Sequence, residues 1–403
     1  MGTRDLASLA GSTDVAEVAA LARSHGRLGI DTEFMSEGRY RALLCLTQVA
    51  VEDSTAADKL RTIMIDGLDR EVEVAPLAAV LADPAIEIVL HAGRQDVAIL
   101  RRVWHTEVTS IFDTQIAAGF AGEGAQSGYG NLLAAILDVR LGKTASYTRW
   151  DARPLTAEQL SYAAEDVVHL LALADELQRR LRASGRYEWA VEECRRLEGA
   201  SDERDPEMVW ERLPRVAQLD GTSRAVAKRL AAWRERTAAA EDRPVGSIIQ
   251  DAPLVEIAKR RPGDSGRLGQ IRGMHPPVIK RRGEALLEAV RLGLEDPPIP
   301  REARRGRSEA SDAPLIALTE ALLRARSIEA GLAYELLATR SELELIVAAA
   351  RESAPEPAVR TLTGWRRALV GDEVNALLSG RAALFVGPRR RLELRGLNGS
   401  NPR

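Results

Sequence analysis

Residues 28–35 of the chain read Leu-Gly-Ile-Asp-Thr-Glu-Phe-Met, a short apolar run that carries two carboxylates two positions apart. Such a run predicts a β-strand, and side chains at positions i and i+2 of a strand point to the same face of a sheet. Asp31 and Glu33 are therefore expected to lie side by side. Like charges this close raise a carboxyl pKa unless cations lie between them, so the pair is compatible with a cation site. A polar strand end explains the same pattern, and this stretch alone leaves both interpretations open.

Length and composition indicate the general class of protein. A chain of 403 residues predicts two or three domains, each with its own core. No apolar run approaches the roughly 18 residues of a membrane helix, and the first residues lack a signal-peptide pattern. Cys45 and Cys194 are too few and too far apart in sequence for a zinc site or a disulfide framework. We predict a cytoplasmic protein without membrane contact, and we expect a monomer although the sequence does not fix the oligomeric state.

The net charge of −3 conceals an asymmetry between the two halves of the chain. Residues 1–200 contain 21 Lys and Arg against 30 Asp and Glu, whereas residues 201–403 contain 35 against 29. An acidic half joined to a basic half is compatible with a metal-binding part followed by modules that bind a polyanion. Surface charge also varies along chains without function, so the balance does not identify a partner.

Hydrophobic periodicity predicts alternating strands and helices in the first 200 residues. The three strands that begin the series are joined by short polar segments, which predicts an antiparallel meander. The order of three antiparallel strands followed by β/α alternation is that of an α/β domain of the ribonuclease H type. The predicted strands are 28–35, 42–51, 62–66, 86–90 and 110–112, and the predicted helices are 14–24, 75–82, 131–138, 156–183 and 186–198.

After residue 203 the strand patterns stop. Residues 205–295 and 314–395 show helical periodicity, and the Pro-rich, charged stretch 296–313 between them has the composition of a linker. We therefore predict an α/β domain over 1–202, an all-α domain over 203–295, a linker over 296–313 and a second small all-α domain over 314–403.

Two further acidic positions stand out. Asp96 opens a helix directly after the apolar strand 86–90, and carboxyl ends of strands are where open α/β folds place functional groups. An acid in the first turn of a helix is also favoured by the helix dipole alone. On the predicted helix 156–183, Tyr162 and Asp166 are four residues apart and share one face. A surface contact is the usual explanation of such a pair, but an acid next to a buried helix face is costly unless it is paired or binds a metal.

The four acids together form the pattern D-x-E … D … Y-x-x-x-D, in which the chain resembles the ribonuclease D family of the DEDD superfamily of 3′–5′ exonucleases. The helical tails resemble HRDC modules, the last of them most loosely. The motifs that carry the resemblance are IDTEF at 30–34, HAGRQD at 91–96, FDTQIA at 112–117, YGNLL at 129–133 and RPLTAEQLSYAAEDV at 153–167.

The resemblance implies a site and an activity. Asp31, Glu33, Asp96 and Asp166 would hold two divalent cations, Mg²⁺ or Mn²⁺, which prefer carboxylate ligands. Tyr162 would orient the attacking water, because the histidine subclass of the superfamily requires His at the position of Ser161. The implied reaction is release of nucleoside 5′-monophosphates from RNA 3′ ends, for example in the maturation of tRNA precursors.

The same resemblance suggests positions that contact the substrate, each of which has an ordinary structural explanation too. The residues after the first carboxylate would hold the terminal nucleotide by backbone hydrogen bonds and stacking, or simply form core. The others are equally explained as satisfied buried polar groups or solvated charges. These candidates are Thr32, Phe34, Met35, His91, Gln115 and Lys143.

Basic residues are frequent on the predicted helices of 205–295, among them Lys228, Arg229, Lys259, Arg260, Arg261, Lys280, Arg281 and Arg282. Gathered on one face they would form a patch for nucleic-acid phosphates, whereas charges interspersed all round would not. Two other functions remain open at this point. One is a 3′–5′ exonuclease that acts on DNA in repair, and the other is a catalytically silent scaffold that binds RNA.

Overall fold

The computed structural model describes residues 9–56, 58–142, 148–301 and 309–397. A five-stranded mixed sheet in the order β3-β2-β1-β4-β5 forms the centre of the first domain. The strands β1, β2 and β3 pair antiparallel, and β4 and β5 extend the sheet in parallel on the other side of β1. The strands are β1 (Arg27–Met35), β2 (Leu43–Glu52), β3 (Leu60–Asp66), β4 (Glu87–Leu90) and β5 (Ile111–Asp113). The five predicted strands are confirmed to within two residues at each end.

Helices cover both faces of this sheet. They are α1 (Ser12–His25), α2 (Ala75–Leu81), α3 (Arg94–Val103), α4 (Thr114–Ala121), α5 (Tyr129–Leu132, followed by a π-helical turn over Leu133–Leu137), α6 (Ala157–Val168), α7 (Leu170–Ala183) and α8 (Tyr187–Glu198). On one face α1, α2 and α3 pack their apolar residues on Leu28 and Ile30 of β1. On the other face Leu170 of α7 lies against Gly29, where a Cβ atom would approach the Leu170 side chain to 3.3 Å. Side chains alternate between the two faces along β1, so even-numbered residues face α1, α2 and α3 and odd-numbered residues face the opposite side.

The predicted helix 156–183 is two helices in the structure. His169 ends α6 and begins α7, with φ −104° and ψ 0°. The cores differ on either side of the break, because α6 packs with Leu46 and Met64 of β2 and β3, whereas α7 packs with Val89 of β4. A break lets each half follow a different part of the twisted sheet.

Helix α4 was not predicted, although its ends carry recognisable signals. The Asp113 side chain caps the helix by accepting hydrogen bonds from the backbone N–H groups of Gln115 and Ile116. Gly122 ends it in the left-handed conformation with φ +92°. The glycines that follow in sequence hid this pattern.

The segment 205–295 is helical in the structure, as predicted. Its longest helices, α9 and α13, pack closely because a Cβ atom at Gly293 would lie only 2.6 Å from the Cα atom of Val226. The chain then continues along the same domain, since both Nε and Nη2 of Arg224 donate to the carbonyl of Ile299. The helices are α9 (Gly221–Ala240), α10 (Val245–Ile248), α11 (Asp251–Arg260), α12 (Ser265–Gly269) and α13 (Pro276–Glu295), with 3₁₀ turns at Val209–Arg212 and Val216–Gln218. Of the predicted linker 296–313, residues 302–308 lie outside the described part of the chain.

The prediction of an all-α domain over 314–403 is wrong at its C-terminal end. Residues Ala382–Val386 and Leu392–Gly396 form an antiparallel hairpin, β6 and β7, in which Leu384 pairs with Leu394. These two side chains pack on the core, so the hydrophobic period here is two rather than 3.6. The helical elements that precede the hairpin are α14 (Ala313–Ala330), α15 (Tyr334–Leu337), α16 (Arg340–Arg351), α17 (Gly364–Arg366, continued by a π-helical turn over Arg367–Gly371) and α18 (Asp372–Leu378), with 3₁₀ turns at Ala310–Asp312 and Arg360–Leu362.

The C-terminal module 309–397 shares a hydrophobic core with the α/β domain. Trp365 stacks on Trp189 of α8 with 5.1 Å between ring centroids and meets Phe120 of α4 edge-on at the same separation. Beside it, the fully buried Arg366 forms a two-point ion pair with Glu193 of α8, with 2.8 Å between Arg366 Nη2 and Glu193 Oε2. The module is therefore part of the folded α/β domain rather than a separate unit on a tether. Within the described residues, every helix is too short or too polar to cross a lipid bilayer.

Trp365→Ala tests this shared core. We expect a loss of about 3–5 kcal/mol in the free energy of unfolding, as for other large-to-small aromatic substitutions in cores. Urea denaturation followed by circular dichroism measures the loss. The matched control is Ile328→Ala in the same module, whose side chain is 81% exposed and which should change stability by less than about 0.5 kcal/mol. A Trp365 variant with the wild-type denaturation midpoint would contradict the shared core.

Candidate active site

The site is built on the C-terminal half of β1, the central strand. Asp31 lies opposite Gln48 and Glu33 opposite Leu46, so both carboxylates point to the face that α6 covers. The register shifts directly after Glu33, where Cys45 is the extra residue on β2. A bulge of this kind re-aims side chains at a strand end, and bulges are frequent next to active sites.

Helix α6 supplies the second part of the site. Thr156 and Gln159 form the predicted capping box, with Thr156 Oγ1 accepting from the Gln159 N–H at 3.2 Å. This cap fixes where the helix starts and therefore which residues face the sheet. Two turns later Tyr162 donates a hydrogen bond to Asp166, and both side chains lie toward β1.

Asp31, Glu33 and Asp166 converge, and one carboxylate oxygen from each lies within 4.8 Å of the others. All three side chains are partly buried. Three carboxylate oxygens at this separation form an oxygen-only donor set, which is the kind that hard divalent cations such as Mg²⁺, Mn²⁺ and Ca²⁺ prefer. The residues present thus fit a divalent cation.

Burial and mutual repulsion disfavour the ionised form of these acids. The pKa of Asp31 is raised well above its ordinary value, first by burial and then by the charges of the other three acids. Burial and the charges of Asp166 and Asp96 raise the pKa of Glu33 to about 8. The pKa of Asp166 rises to about 7 through burial and the neighbouring charge of Glu165, partly opposed by the hydrogen bond from Tyr162. A bound cation would therefore stabilise the ionised form of these carboxylates at neutral pH.

Asp96 is close to the cluster but outside it. It lies in the first turn of α3, is 7% exposed, and accepts a hydrogen bond from the Thr32 hydroxyl. Thr32 alternates with Asp31 along β1 and so points to the α3 face of the sheet. The pairing of β1 with β4 ends at Gly29 and Val89, so the part of β1 that carries Asp31, Thr32 and Glu33 extends beyond β4. Burial raises the pKa of Asp96, and the hydrogen bond from Thr32 opposes this shift.

Two tyrosines border the acids. Tyr162 packs on the buried Trp150, with 6.1 Å between ring centroids, and burial followed by the nearby carboxylates raises its pKa. Its hydroxyl therefore stays protonated at neutral pH. Tyr129 was not singled out from the sequence, although the YGNLL motif contained it. Burial and the nearby charges of Asp166 and Asp31 raise its pKa.

The predicted substrate contacts have partners within the protein where the structure describes them. Phe34 packs on the core of the α1–α3 face, and Met35 packs on the α6 core. His91 Nδ1 lies 2.9 Å from Thr114 Oγ1, and Gln115 Nε2 donates to the Ser127 carbonyl at 3.3 Å. Lys143 lies outside the described residues. These contacts neither require nor prevent a role in binding, so the six positions stay predictions.

The helical domain contacts the loop that follows β1. Arg39 Nη1 lies 2.7 Å from Asp242 Oδ2, the Tyr40 backbone N–H donates to Asp242 Oδ1 at 3.2 Å, and the Tyr40 hydroxyl donates to Glu235 Oε1 at 3.1 Å. Glu235 is buried at 2% exposure. Tyr40 therefore connects α9 to the loop that leads from the two carboxylates of β1 into β2.

Many basic residues of the helical domain are paired with acids. The pairs are Lys228–Glu207, Arg229–Asp296, Arg260–Glu256, Arg261–Asp220 and Arg282–Glu241. For these five residues the arrangement favours interspersed charge over an uninterrupted basic face.

Comparisons with known proteins identify the family of the chain. The family model described as 3′–5′ exonuclease matches residues 8–182, and that of the HRDC domain matches residues 223–290. The chain is 35% identical to ribonuclease D of Gluconacetobacter diazotrophicus, with 94% of each protein covered, and 37% identical to ribonuclease D of Granulibacter bethesdensis, with 93% of each covered.

Among solved structures, the crystal structure of Escherichia coli RNase D, described as an exoribonuclease involved in structured RNA processing, superposes with a TM-score of 0.80. The two chains are 28% identical, and the match covers 92% of this chain and 98% of the other. The strand and helix that bear the clustered carboxylates lie within the matched exonuclease region, and the similarity to the curated relatives extends over nearly the whole length, so this chain belongs to the ribonuclease D family.

Proposed function

We propose that the protein is a metal-dependent 3′–5′ exoribonuclease that releases nucleoside 5′-monophosphates from RNA. The observation that carries the proposal is the convergence of Asp31, Glu33 and Asp166 within 4.8 Å. Buried acids that repel one another are poorly suited to a purely structural role, and cations relieve that repulsion.

In this proposal Asp31, Glu33, Asp96 and Asp166 hold two divalent ions, Mg²⁺ or Mn²⁺. When bound, such a pair supplies an activated water and neutralises the charge that develops on the leaving 3′ oxygen. The four acids must give up their retained protons before they bind cations, so binding should release protons at neutral pH.

Tyr162 is proposed to orient the attacking water. Its hydroxyl already donates to Asp166, and its raised pKa excludes a role as a base at neutral pH. A phenol held by Trp150 on one side and by Asp166 on the other has few accessible orientations, which is what a positioning group requires.

The substrate is proposed to be structured RNA with a free 3′ end, such as tRNA precursors. The proposal is supported by the Escherichia coli relative, which is described as acting in structured RNA processing. The HRDC domain, together with the C-terminal module as a second HRDC-like unit, would hold the body of the RNA while its 3′ end enters the site. We further propose that the enzyme acts in the cytoplasm as a monomer.

Asp166→Asn tests the metal site. We expect loss of nucleotide release by at least about 10³-fold, because several kcal/mol of charge stabilisation in the reaction depend on the ions. The assay is digestion of end-labelled RNA and, in parallel, DNA with Mg²⁺, Mn²⁺ or EDTA, which also reports polarity, product and substrate preference. Asp175→Asn, an exposed acid on α7, is the control and should keep wild-type activity. A fully active Asp166 variant would remove this site from the reaction, and preference for DNA would remove the assignment to RNA.

Tyr162→Phe tests the positioning of the water. We expect kcat to fall roughly 10²-fold, a typical loss for one donor to a reacting group, while Mn²⁺ affinity stays at the wild-type level. Single-turnover kinetics and a Mn²⁺ titration separate the two effects. Tyr334→Phe in the C-terminal module is the matched control. Equal kcat for wild type and the Tyr162 variant would limit this tyrosine to packing.

The raised carboxyl pKa values predict the pH dependence of stability in EDTA. The folded protein keeps protons that the unfolded chain releases, since the ordinary carboxyl pKa is about 4 and that of Glu33 is about 8. The contribution of these acids to stability therefore falls as pH rises from about 4 to about 8. With saturating Mg²⁺ the direction should reverse, because cations bind the ionised form.

Thermal melting temperatures over this pH range, with EDTA and with Mg²⁺, measure the effect. Glu33→Gln removes one of the titrating groups and should flatten the EDTA profile. An EDTA profile that rises steadily to pH 8 would show that these acids titrate normally.

A further inference from the structure

Gln48 on β2 is completely buried, and neither its Nε2 nor its Oε1 atom has a hydrogen-bond partner among the described residues. An unsatisfied buried polar group destabilises the folded state. Nearly all buried polar groups in folded proteins have partners, so an amide with two unmet groups calls for an explanation. The nearest residues on the same face of the strand, Leu46 and Ala50, are apolar core residues.

The register of the sheet places this amide beside the candidate active site. Gln48 lies directly opposite Asp31 on β1 and opposite Met64 on β3. Residues directly opposite in an antiparallel pair point to the same face, with Cβ atoms about 4.5–5.5 Å apart. Gln48 therefore lies between the Asp31 carboxylate and the core beneath α6, to which Met64 and Ala163 belong.

The Asp31 carboxylate is a hydrogen-bond acceptor on the same face of the sheet as the Gln48 amide. Burial and the charges of three neighbouring acids raise the pKa of its carboxyl, and the hydrogen bond that opposes this shift comes from the backbone N–H of Thr32. Carboxylates that bind metal ions are generally fixed by hydrogen bonds to their remaining oxygen lone pairs, and loss of such a partner typically lowers metal affinity by about 10–100-fold.

We propose that Gln48 is a positioning residue for the metal site and that its Nε2–H donates to the Asp31 carboxylate when that carboxylate binds a divalent cation. The amide of Gln48 then has an acceptor, and Asp31 is held in one orientation. This inference rests on the proposed function, because it requires that cations bind at Asp31.

Two substitutions distinguish three roles of Gln48: a hydrogen-bond donor to Asp31, a packing residue, and a ligand of the metal ion. Gln48→Met keeps the length of the side chain and removes both polar groups, while Gln48→Glu keeps the shape and an oxygen but cannot donate when ionised. Met64→Leu, at the neighbouring position on the same face, is the volume-conserving control. The measurements are the Mn²⁺ dissociation constant, from the electron paramagnetic resonance signal of free Mn²⁺, and the melting temperature in EDTA.

We expect Gln48→Met to bind Mn²⁺ about 10–100-fold more weakly than wild type while its melting temperature in EDTA is unchanged or higher. Gln48→Glu should also bind more weakly, and Met64→Leu should bind as wild type does. This combination is specific, since a packing residue would lower the melting temperature and leave the affinity unchanged.

Three outcomes would overturn the inference. Wild-type Mn²⁺ affinity in Gln48→Met would show that the amide does not act on Asp31. Equal or tighter binding by Gln48→Glu would make the side-chain oxygen a ligand instead of a donor neighbour. A Gln48→Met variant that melts well below wild type, or fails to fold, would make Gln48 a structural residue. Absence of saturable Mn²⁺ binding by wild type would instead remove the metal site of the proposed function itself, together with this inference.

Discussion

The constraint on which the rest of the structure depends is electrostatic. Acids from a central strand and from a packed helix are held close together in a partly buried space, where each raises the energy of the ionised form of the others. Such an arrangement opposes folding unless the surrounding scaffold is stable enough to impose it. The scaffold does so by placing β1 between β2 and β4 and by pressing α6 and α7 onto one face of it.

The scaffold is larger than the sheet and its helices. The C-terminal module completes the core around Phe120 and Trp365, and the buried pair of Arg366 and Glu193 joins it to α8. Isolated buried charges are costly, so this pair favours one docked arrangement of the module over alternatives that would leave either charge unpaired. The module 309–397 thus shares its core with the α/β domain, while the matched HRDC region 223–290 lies between the two in sequence.

Local patterns predicted much of this architecture. The strands were found because their apolar runs are bounded by polar segments. Spacing placed the acids in pairs on shared faces, whereas their union in one site was implied by the resemblance to a family. The features that escaped prediction did so partly for tertiary and partly for local reasons. The break at His169 follows from the twist of the sheet, which no local pattern encodes. The hairpin Ala382–Val386 and Leu392–Gly396 was hidden by a run of arginines in its turn.

The candidate site shows the same division. Asp31, Glu33, Tyr162 and Asp166 could be placed on shared faces from spacing alone, and the structure brings them together. The position of Asp96 outside the cluster depends on where β4 ends. Gln48 was not identified, and Tyr129 appeared only within the YGNLL motif, because the strand register and the packing of a helix decide which residues lie near them.

The contact of Tyr40 and Arg39 with α9 has a mechanical consequence. The loop they occupy is the short covalent path between the strand end that carries Glu33 and the neighbouring strand, and its far side is clamped to the HRDC domain through Glu235 and Asp242. A displacement of this domain would therefore act directly on the loop. The position of the HRDC domain and the position of the strand end that carries Glu33 are therefore linked through a single short loop.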